Sequence, residues 1–361
     1  QSLVRDELLL AMDKFSASAA AGIVLDVNSG ELLALVSLPE FDPNIPSPAE
    51  SNFNFSRATK GVYEMGSIFK LFTTAMALDS GVISLEDRYD ASEPIRIGGH
   101  TISDYHAENR ELSVPEILIH SSNIGAAKMA LDIGIDRQQH YLSQFGLLDP
   151  AKIELPEVGS PLVPKIWSDI SSMTISYGHG ISVSPLQLAS AVGSLINGGF
   201  KVEPTLLSIQ TSGKDVRYKR VLTADTSNKM RALMRLVVSE GTGRKANAEG
   251  YFVGGKTGTA NKLVNGKYSR NNRIASFVGA FPMNDPRYVV LVMIDEPEGT
   301  EQTLNHATGG WVAAPAVGKI IARMGPMLGV RPVKMVMDDI KKPVGFIRLW
   351  ERSFETREAT R

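Results

Sequence analysis

Apolar positions along this chain fall into a few repeating patterns. Residues 3–14 carry Leu3, Leu8, Leu9, Leu10 and Met12, which reads as a helix. Two apolar-rich runs follow, at 22–27 (Gly-Ile-Val-Leu-Asp-Val) and 31–38 (Glu-Leu-Leu-Ala-Leu-Val-Ser-Leu). Asn28-Ser29-Gly30 between them is a tight-turn signal, so the pair predicts an antiparallel hairpin. A polar loop with Pro43, Pro46 and Pro48 comes next. From Ser67 to Leu78 the residues Ile68, Leu71, Phe72, Ala75 and Met76 return to helical spacing, and Gly81 stops the helix. Between 82 and 200 further helical segments, 114–131 and 185–197 among them, are interrupted by Gly and Pro. Strand character reappears at 251–257, 274–282 and 288–294, and a last helix is predicted over about 310–324, carrying Trp311 toward the core.

Two strands near the start and three near the end predict one five-stranded antiparallel sheet made by both chain ends. A mainly helical insertion lies between them, which is an α+β architecture. On this reading residues 1–330 form one domain. Its α/β part is drawn from about 18–66 and 200–330, and its helical subdomain from about 67–199. The tail, 331–361, holds eight Lys/Arg against five acids and reads as a peripheral appendage whose role the sequence does not reveal.

Composition removes several classes of function. With 38 basic and 39 acidic residues the net charge is -1, so nothing global draws the chain to nucleic acid or acidic lipid. The absence of cysteine excludes thiol catalysis, disulfides and cysteine-ligated zinc, and fits an extracytoplasmic setting. The glycine clusters lack the spacing of a phosphate-binding loop, and no cofactor is expected. His179 and His306 belong to no carboxylate pattern that would hold a metal, and read as structural. No apolar run approaches the ~18 residues that span a bilayer. The helical pattern directly after Gln1 looks like the middle of an architecture, so the expectation is a piece of a longer protein.

Three short motifs carry the chemistry. In Ser67-Ile68-Phe69-Lys70 the serine and lysine sit at i and i+3 on one helix face, within reach of each other. A serine hydroxyl is a poor nucleophile without an adjacent base, and a lysine is that base only when burial, a second cation and the helix dipole keep it neutral. About one or two such pairs arise by chance in a chain of this composition, so the motif is weak alone. Ser121-Ser122-Asn123 follows the helical stretch Val114–His120 and offers a hydroxyl for proton transfer and an amide for a carbonyl; it equally suits a helix N-cap. Gly255-Lys256-Thr257-Gly258-Thr259-Ala260, taken as the end of a strand, offers close backbone approach, positive charge from Lys256 and threonine hydroxyls for a carboxylate. The triplet Lys-Thr-Gly is expected by chance on the order of a tenth of a time, so it carries more weight.

The order Ser-x-x-Lys, Ser-x-Asn, Lys-Thr-Gly resembles the signature of the penicillin-recognising serine enzymes. Four flanking stretches resemble class B penicillin-binding proteins, and most closely the division-type members: Gly61–Gly66, Tyr177–Ala189, Gly241-Thr242-Gly243 and Ala275–Pro282. The resemblance spans roughly residues 18–330. It implies a peptidoglycan D,D-transpeptidase in which Ser67 is the nucleophile, Lys70 its general base, and Ser121 with Lys256 the relay to the leaving amine. Asn123 would orient the donor amide, and Thr257, Gly258 and Thr259 would receive the terminal carboxylate. The backbone N–H groups of Ser67 and Thr259 would form the oxyanion hole. It further implies stem peptides and β-lactams as ligands, and divisome proteins and a peptidoglycan glycosyltransferase as partners. The expected place is the outer face of the bacterial cytoplasmic membrane, with one N-terminal anchor.

The nearest rivals share the machinery. A class A β-lactamase places a water-activating Glu between the second and third motifs, whereas the only Glu-x-x-Leu-Asn string here, Glu301–Asn305, follows the third. Ser122 departs from the usual Ser-Asp-Asn, and Asn123 from the aliphatic residue of class D enzymes. A D,D-carboxypeptidase, with water as acceptor, and a non-catalytic β-lactam sensor remain as alternatives.

Overall fold

The computed structural model describes residues 1–42, 44, 55–209, 216–264 and 266–332. The prolines at 43, 46 and 48, and the tail beyond Pro332, lie outside the described residues. The hairpin forms as the sequence predicts. Strand β1 (Ala19–Asp26) pairs antiparallel with β2 (Leu32–Leu38), placing Ile23 opposite Leu35. The Asp26 carboxylate accepts the N–H groups of Asn28 at 2.8 Å and Ser29 at 3.1 Å, and Gly30 closes the turn at φ 81°. That positive φ strains any residue with a β-carbon.

Late in the chain come β9 (Gly254–Val264), β10 (Lys267–Phe281) and β11 (Tyr288–Asp295). The five strands lie in the order β2-β1-β11-β10-β9, every neighbouring pair antiparallel, so both chain ends build one sheet. Strand β11 is central and all eight of its residues are buried. Alternate side chains face opposite layers, as the two-residue strand period requires. Val290, Val292 and Ile294 join Ala20 and Val24 against α1 (Ser2–Lys14) and α9 (Ala313–Met327), using Val4, Leu8, Val317 and Ile320. Val289, Leu291 and Met293 join Ile23 and Leu25 against the larger cluster that includes α7 (Pro185–Ile196) and α8 (Ala224–Ser239).

Between the two groups of strands the chain is mainly helical. A 3-10 turn at Gly66–Ile68 leads into α2 (Phe69–Asp79), which is buried from Phe69 to Ala77 and runs through the core. Around it lie α3 (Val114–His120), α4 (Asn123–Ile133), α5 (Ile135–Gln144) and α6 (Asp169–Ile175). Short β3 (Arg88–Asp90) pairs with β6 (Glu111–Ser113), β4 (Ile95–Ile97) with β5 (His100–Ile102), and β7 (Phe200–Lys201) with β8 (Lys219–Arg220). Helix α7 opens on a capping box, with Ser184 and Gln187 bonded reciprocally and Pro185 in the first turn. Among the described residues no helix is long and apolar enough to cross a membrane.

Three expectations need correction. The helical stretch 114–131 is two helices, because Ser121 adopts a left-handed conformation (φ 60°, ψ 45°) and ends α3. The strand expected at 251–257 begins only at Gly254 and continues to Val264, so the Lys-Thr-Gly triplet lies near its start rather than its end. Gly254 and Gly255 look like breakers, yet they are paired with Ala280 and Gly279; a β-carbon on Gly255 would collide with Phe277 and the Val278 carbonyl. Trp311 precedes the last helix and is half-buried, because its ring stacks on His306 at the surface instead of entering the core.

Candidate active site

Ser67, Lys70, Ser121, Asn123 and Lys256 converge, although they come from the 3-10 turn before α2, α2 itself, the α3–α4 junction and β9. Lys70 lies one helical turn beyond Ser67, and its Nζ is 2.8 Å from Ser67 Oγ. The same nitrogen reaches the Ser121 carbonyl at 2.8 Å, Asn123 Oδ1 at 2.7 Å and Ser121 Oγ at 3.2 Å. The Ser121 carbonyl and Asn123 Oδ1 can only accept, so they take two N–H bonds. In a neutral amine the lone pair is then left for the Ser67 hydroxyl. Lys70 is fully buried, and its pKa falls well below 10.5, first through desolvation and then through the charge of Lys256; Asp104 opposes both.

Lys256 also reaches the Ser121 hydroxyl. Its Nζ lies 2.9 Å from Ser121 Oγ and 3.3 Å from Thr257 Oγ1. Burial pushes this amine down to about 7. Desolvation is the cause, and no carboxylate offsets the loss of water. Ser121 Oγ thus sits between two buried amines, and the left-handed turn at Ser121 is what puts it there.

Local chemistry explains the Ser121–Asn123 geometry. Ser122 is the N-cap of α4: its Oγ accepts from Gly125 N at 3.0 Å and donates to Asp104 Oδ2 at 2.7 Å. The other Asp104 oxygen accepts from the backbone of Asn123 at 2.5 Å and of Ile124 at 3.0 Å. The cap reading of this motif and its functional reading are both true, on adjacent residues. Asp104 escaped sequence reasoning, since it comes from 18 residues earlier and no periodic pattern links it to the cap.

The nucleophile turn is pressed onto β9. Gly66 stands at φ 53°, and a β-carbon there would meet the Thr259 backbone, 3.2 Å from its nitrogen. Gly178, at φ 83°, has the same relation to the backbone of Gly66. A β-carbon on Gly258 would strike the Met65 carbonyl and Ser276 Oγ. Three glycines thus allow three backbone segments to touch, seating the turn that carries Ser67 against the backbone of Thr259. On β9 itself, Thr257 Oγ1 shares a 2.9 Å hydrogen bond with Thr242 Oγ1, and Thr259 Oγ1 accepts from Gly309 N at 3.0 Å. Thr242 falls in the Gly-Thr-Gly flank, where the sequence showed a resemblance but no role.

One further group flanks Ser67. Glu64 Oε1 accepts from Gly180 N at 2.8 Å and from the Tyr268 hydroxyl at 3.0 Å. His179 packs between the rings of Tyr177 and Tyr268, with centroids 5.3 and 5.9 Å away. Burial lowers its pKa, Glu64 works against that, and Lys70 adds to the lowering. Trp311 and His306 stack 17° apart, and the ammonium of Lys245 stands 4.1 Å from the Trp311 ring centre. The described residues contain no cluster of three His, Cys, Asp or Glu suited to a metal.

Comparison with known proteins identifies the family. Residues 20–322 match the family described as the penicillin binding protein transpeptidase domain. A probable peptidoglycan D,D-transpeptidase FtsI of Caulobacter vibrioides is 41% identical over 340 residues, covering 92% of this chain and 58% of that protein. The peptidoglycan D,D-transpeptidase FtsI of Escherichia coli is 33% identical over 343 residues, covering 94% and 56%. The chain therefore spans a little over half the length of these two relatives. Among solved structures, the TP domain of penicillin-binding protein 3 from Burkholderia pseudomallei superposes with a TM-score of 0.82 at 33% identity, covering 93% of this chain and 96% of that one.

Proposed function

The chain belongs to the penicillin-binding-protein transpeptidase family, and from that premise we propose that it is the catalytic domain of a peptidoglycan D,D-transpeptidase working through a serine acyl-enzyme. The observation that carries this reading is the fully buried amine of Lys70, 2.8 Å from Ser67 Oγ, with its proton affinity held well below the ordinary lysine value.

Lys70 takes the Ser67 proton as Oγ attacks the carbonyl of the penultimate D-Ala of a stem peptide. The backbone N–H groups of Ser67 and Thr259 receive the oxyanion, a type of contact worth about 100-fold or more in rate. The C–N bond to the terminal D-Ala then breaks. Ser121, bridged by Lys70 and Lys256, passes a proton to the departing amine. Asn123 holds the donor amide, while Thr257 and Thr259, with close approach at Gly258, receive the terminal carboxylate. An amine from a second stem peptide attacks the ester, completing the cross-link and restoring the Ser67 hydroxyl. β-Lactams, which mimic D-Ala-D-Ala, would acylate the same oxygen.

We extend the proposal to place. The full-length protein would be tethered at the outer face of the cytoplasmic membrane, beside a peptidoglycan glycosyltransferase and division proteins. Residues 1–330 would act as one unit, with the α/β and helical parts at the boundaries given above. Intact-mass measurement after exposure to penicillin tests the chemistry. One adduct per chain, mapped to Ser67 and absent in Ser67→Ala, is expected; an adduct that persists in Ser67→Ala would sink it. Slow loss of the adduct, compared with rapid hydrolysis, separates a transferase from a β-lactamase.

A further inference from the structure

We infer that a pocket between α5 and β8, away from the reacting residues, binds a phosphate monoester through Arg137, His140 and Arg220. The inference stands apart from the acyl-enzyme reading.

Helical spacing builds one wall of the pocket. Arg137, His140, Tyr141 and Gln144 fall at i, i+3, i+4 and i+7 of α5, so they share a face. Arg220, at the end of β8, and Ser80, just past α2, complete the lining with the buried Val221. Together they line an open pocket of about 480 Å³. Small-molecule sites measure roughly 300–1,000 Å³, so the space suits a sugar-sized body better than a bare ion. Ser67 and Ser80 stand at opposite ends of the α2 segment; at a rise of about 1.5 Å per residue, Ser80 lies ~20 Å from the nucleophile.

The charges in this pocket are not cancelled. Arg137, His140 and Arg220 are exposed and have no carboxylate partner among the described residues. Arg220 is nonetheless held still. One of its terminal nitrogens donates to the Gly198 and Leu222 carbonyls at 3.1 Å each, and its guanidinium lies 4.1 Å from the centre of the Phe200 ring. These contacts fix a cation without neutralising it, and they leave other N–H groups of the fork for a ligand. The neighbouring carboxylate is already committed: Asp79 Oδ2 accepts from the Tyr141 hydroxyl at 2.8 Å, and Oδ1 from the Thr223 backbone at 2.8 Å and hydroxyl at 2.9 Å. Ser80 Oγ donates to the Met76 and Ala77 carbonyls at 2.7 and 3.3 Å, so those oxygens at the end of α2 are satisfied. The pocket presents two guanidinium charges and an imidazole, and no acidic side chain lines it.

That inventory selects the ligand. A guanidinium fork matches paired oxygens and binds them through two parallel N–H bonds. A phosphate monoester carries close to two negative charges at neutral pH and three terminal oxygens, enough to engage both arginines and a ring N–H of His140 together. A carboxylate, with one charge and two oxygens, satisfies one arginine. The body of the ester would lie against Tyr141 and Gln144, a ring and an amide suited to a hydroxylated surface. A soluble sugar phosphate and a lipid headgroup share this chemistry.

The test titrates the intact chain with glucose 6-phosphate by calorimetry, and with phosphatidylcholine vesicles carrying phosphatidic acid by co-sedimentation. Glucose and plain phosphatidylcholine vesicles are the phosphate-free controls. Saturable binding of a phosphate probe and none of its control is expected, and which probe binds separates a free ester from a headgroup. Arg137 makes no hydrogen bond among the described residues, so its variants keep the fold. Arg137→Ala should weaken binding about ten- to a hundredfold, the range of one charge-assisted hydrogen bond. Arg137→Glu should abolish it, Arg137→Lys should retain part of it, and Arg220→Ala should match Arg137→Ala. Lys267→Ala, which removes an exposed cation on β10, should bind as wild type does. Saturable binding of neither phosphate probe overturns the proposal. So does binding that Arg137→Ala and Arg137→Glu leave unchanged, or that Lys267→Ala weakens equally.

Discussion

On the helical wall of the cleft, Lys70 has four polar atoms around its nitrogen and the carboxylate of Asp104 in its field. On the strand wall, Lys256 meets the hydroxyls of Ser121 and Thr257, and burial alone accounts for its depressed proton affinity. Both amines are fully shielded from water. On the proposed mechanism burial readies both lysines for proton transfer, and their different neighbours assign each a different step. Lys70 has its lone pair free toward Ser67. On the proposed mechanism Lys256 has no nucleophile to activate; its lowered proton affinity suits it to lend or take back a proton through Ser121.

Changes at four residues probe that contrast, from the largest effect to the smallest. Lys70→Ala removes the base and should slow acylation by labelled penicillin about 10²- to 10⁴-fold; a loss under tenfold would mean the two walls share the role. Lys256→Ala deletes a hydrogen bond of charged type worth ~1.5–3 kcal/mol, so acylation should drop about ten- to a hundredfold. The same residue shapes the pH dependence of stability. Folded Lys256 releases its proton near 7 and an unfolded lysine near 10.5, so the unfolded chain binds more protons across that window and stability should rise with pH. Urea titrations of Lys256→Met should show a shallower rise; an identical slope would contradict the depressed affinity.

Asp104→Asn acts on the helical wall alone. Loss of the charge that supports protonated Lys70 lets the neutral base persist to lower pH, so the acidic limb of the acylation profile should move down. The weakened cap of α4 should cost about 0.5–2 kcal/mol in denaturant midpoints. A limb that moves upward would assign Asp104 a different role. Smallest is Tyr268→Phe, outside both walls, which removes the hydrogen bond to Glu64 and should lower stability by about 0.5–1 kcal/mol, read by calorimetry.

Much of this was readable from residue order, for physical reasons that differ by element. The β1–β2 hairpin was legible because its turn is local, and the Ser67–Lys70 contact because a helix fixes what lies three residues on. The meeting of Lys256 with Ser121, 135 residues apart, has no local signal and followed only from the family pattern. Asp104 was invisible, since a cap supplied from a distant loop leaves no spacing to detect. The β9 start was misread because Gly254 and Gly255 have the composition of a turn, while Met283 crowds the first and Phe277 the second. Trp311 was misassigned because the last helix was started too early, whereas the residue precedes it and a partner ring and a cation meet it at the surface.

The mutual contact of Gly66, Gly178 and Gly258 also bears on how such a chain can adapt. Any heavier residue at these points would push the Ser67 turn off its strand and misalign the two N–H groups with it. Selection that favours escape from an inhibitor therefore has no room to work where the backbones touch. It is steered outward to positions such as Lys245 or Tyr268, where a side chain can change without moving the reacting oxygen, and diversity between lineages should gather there.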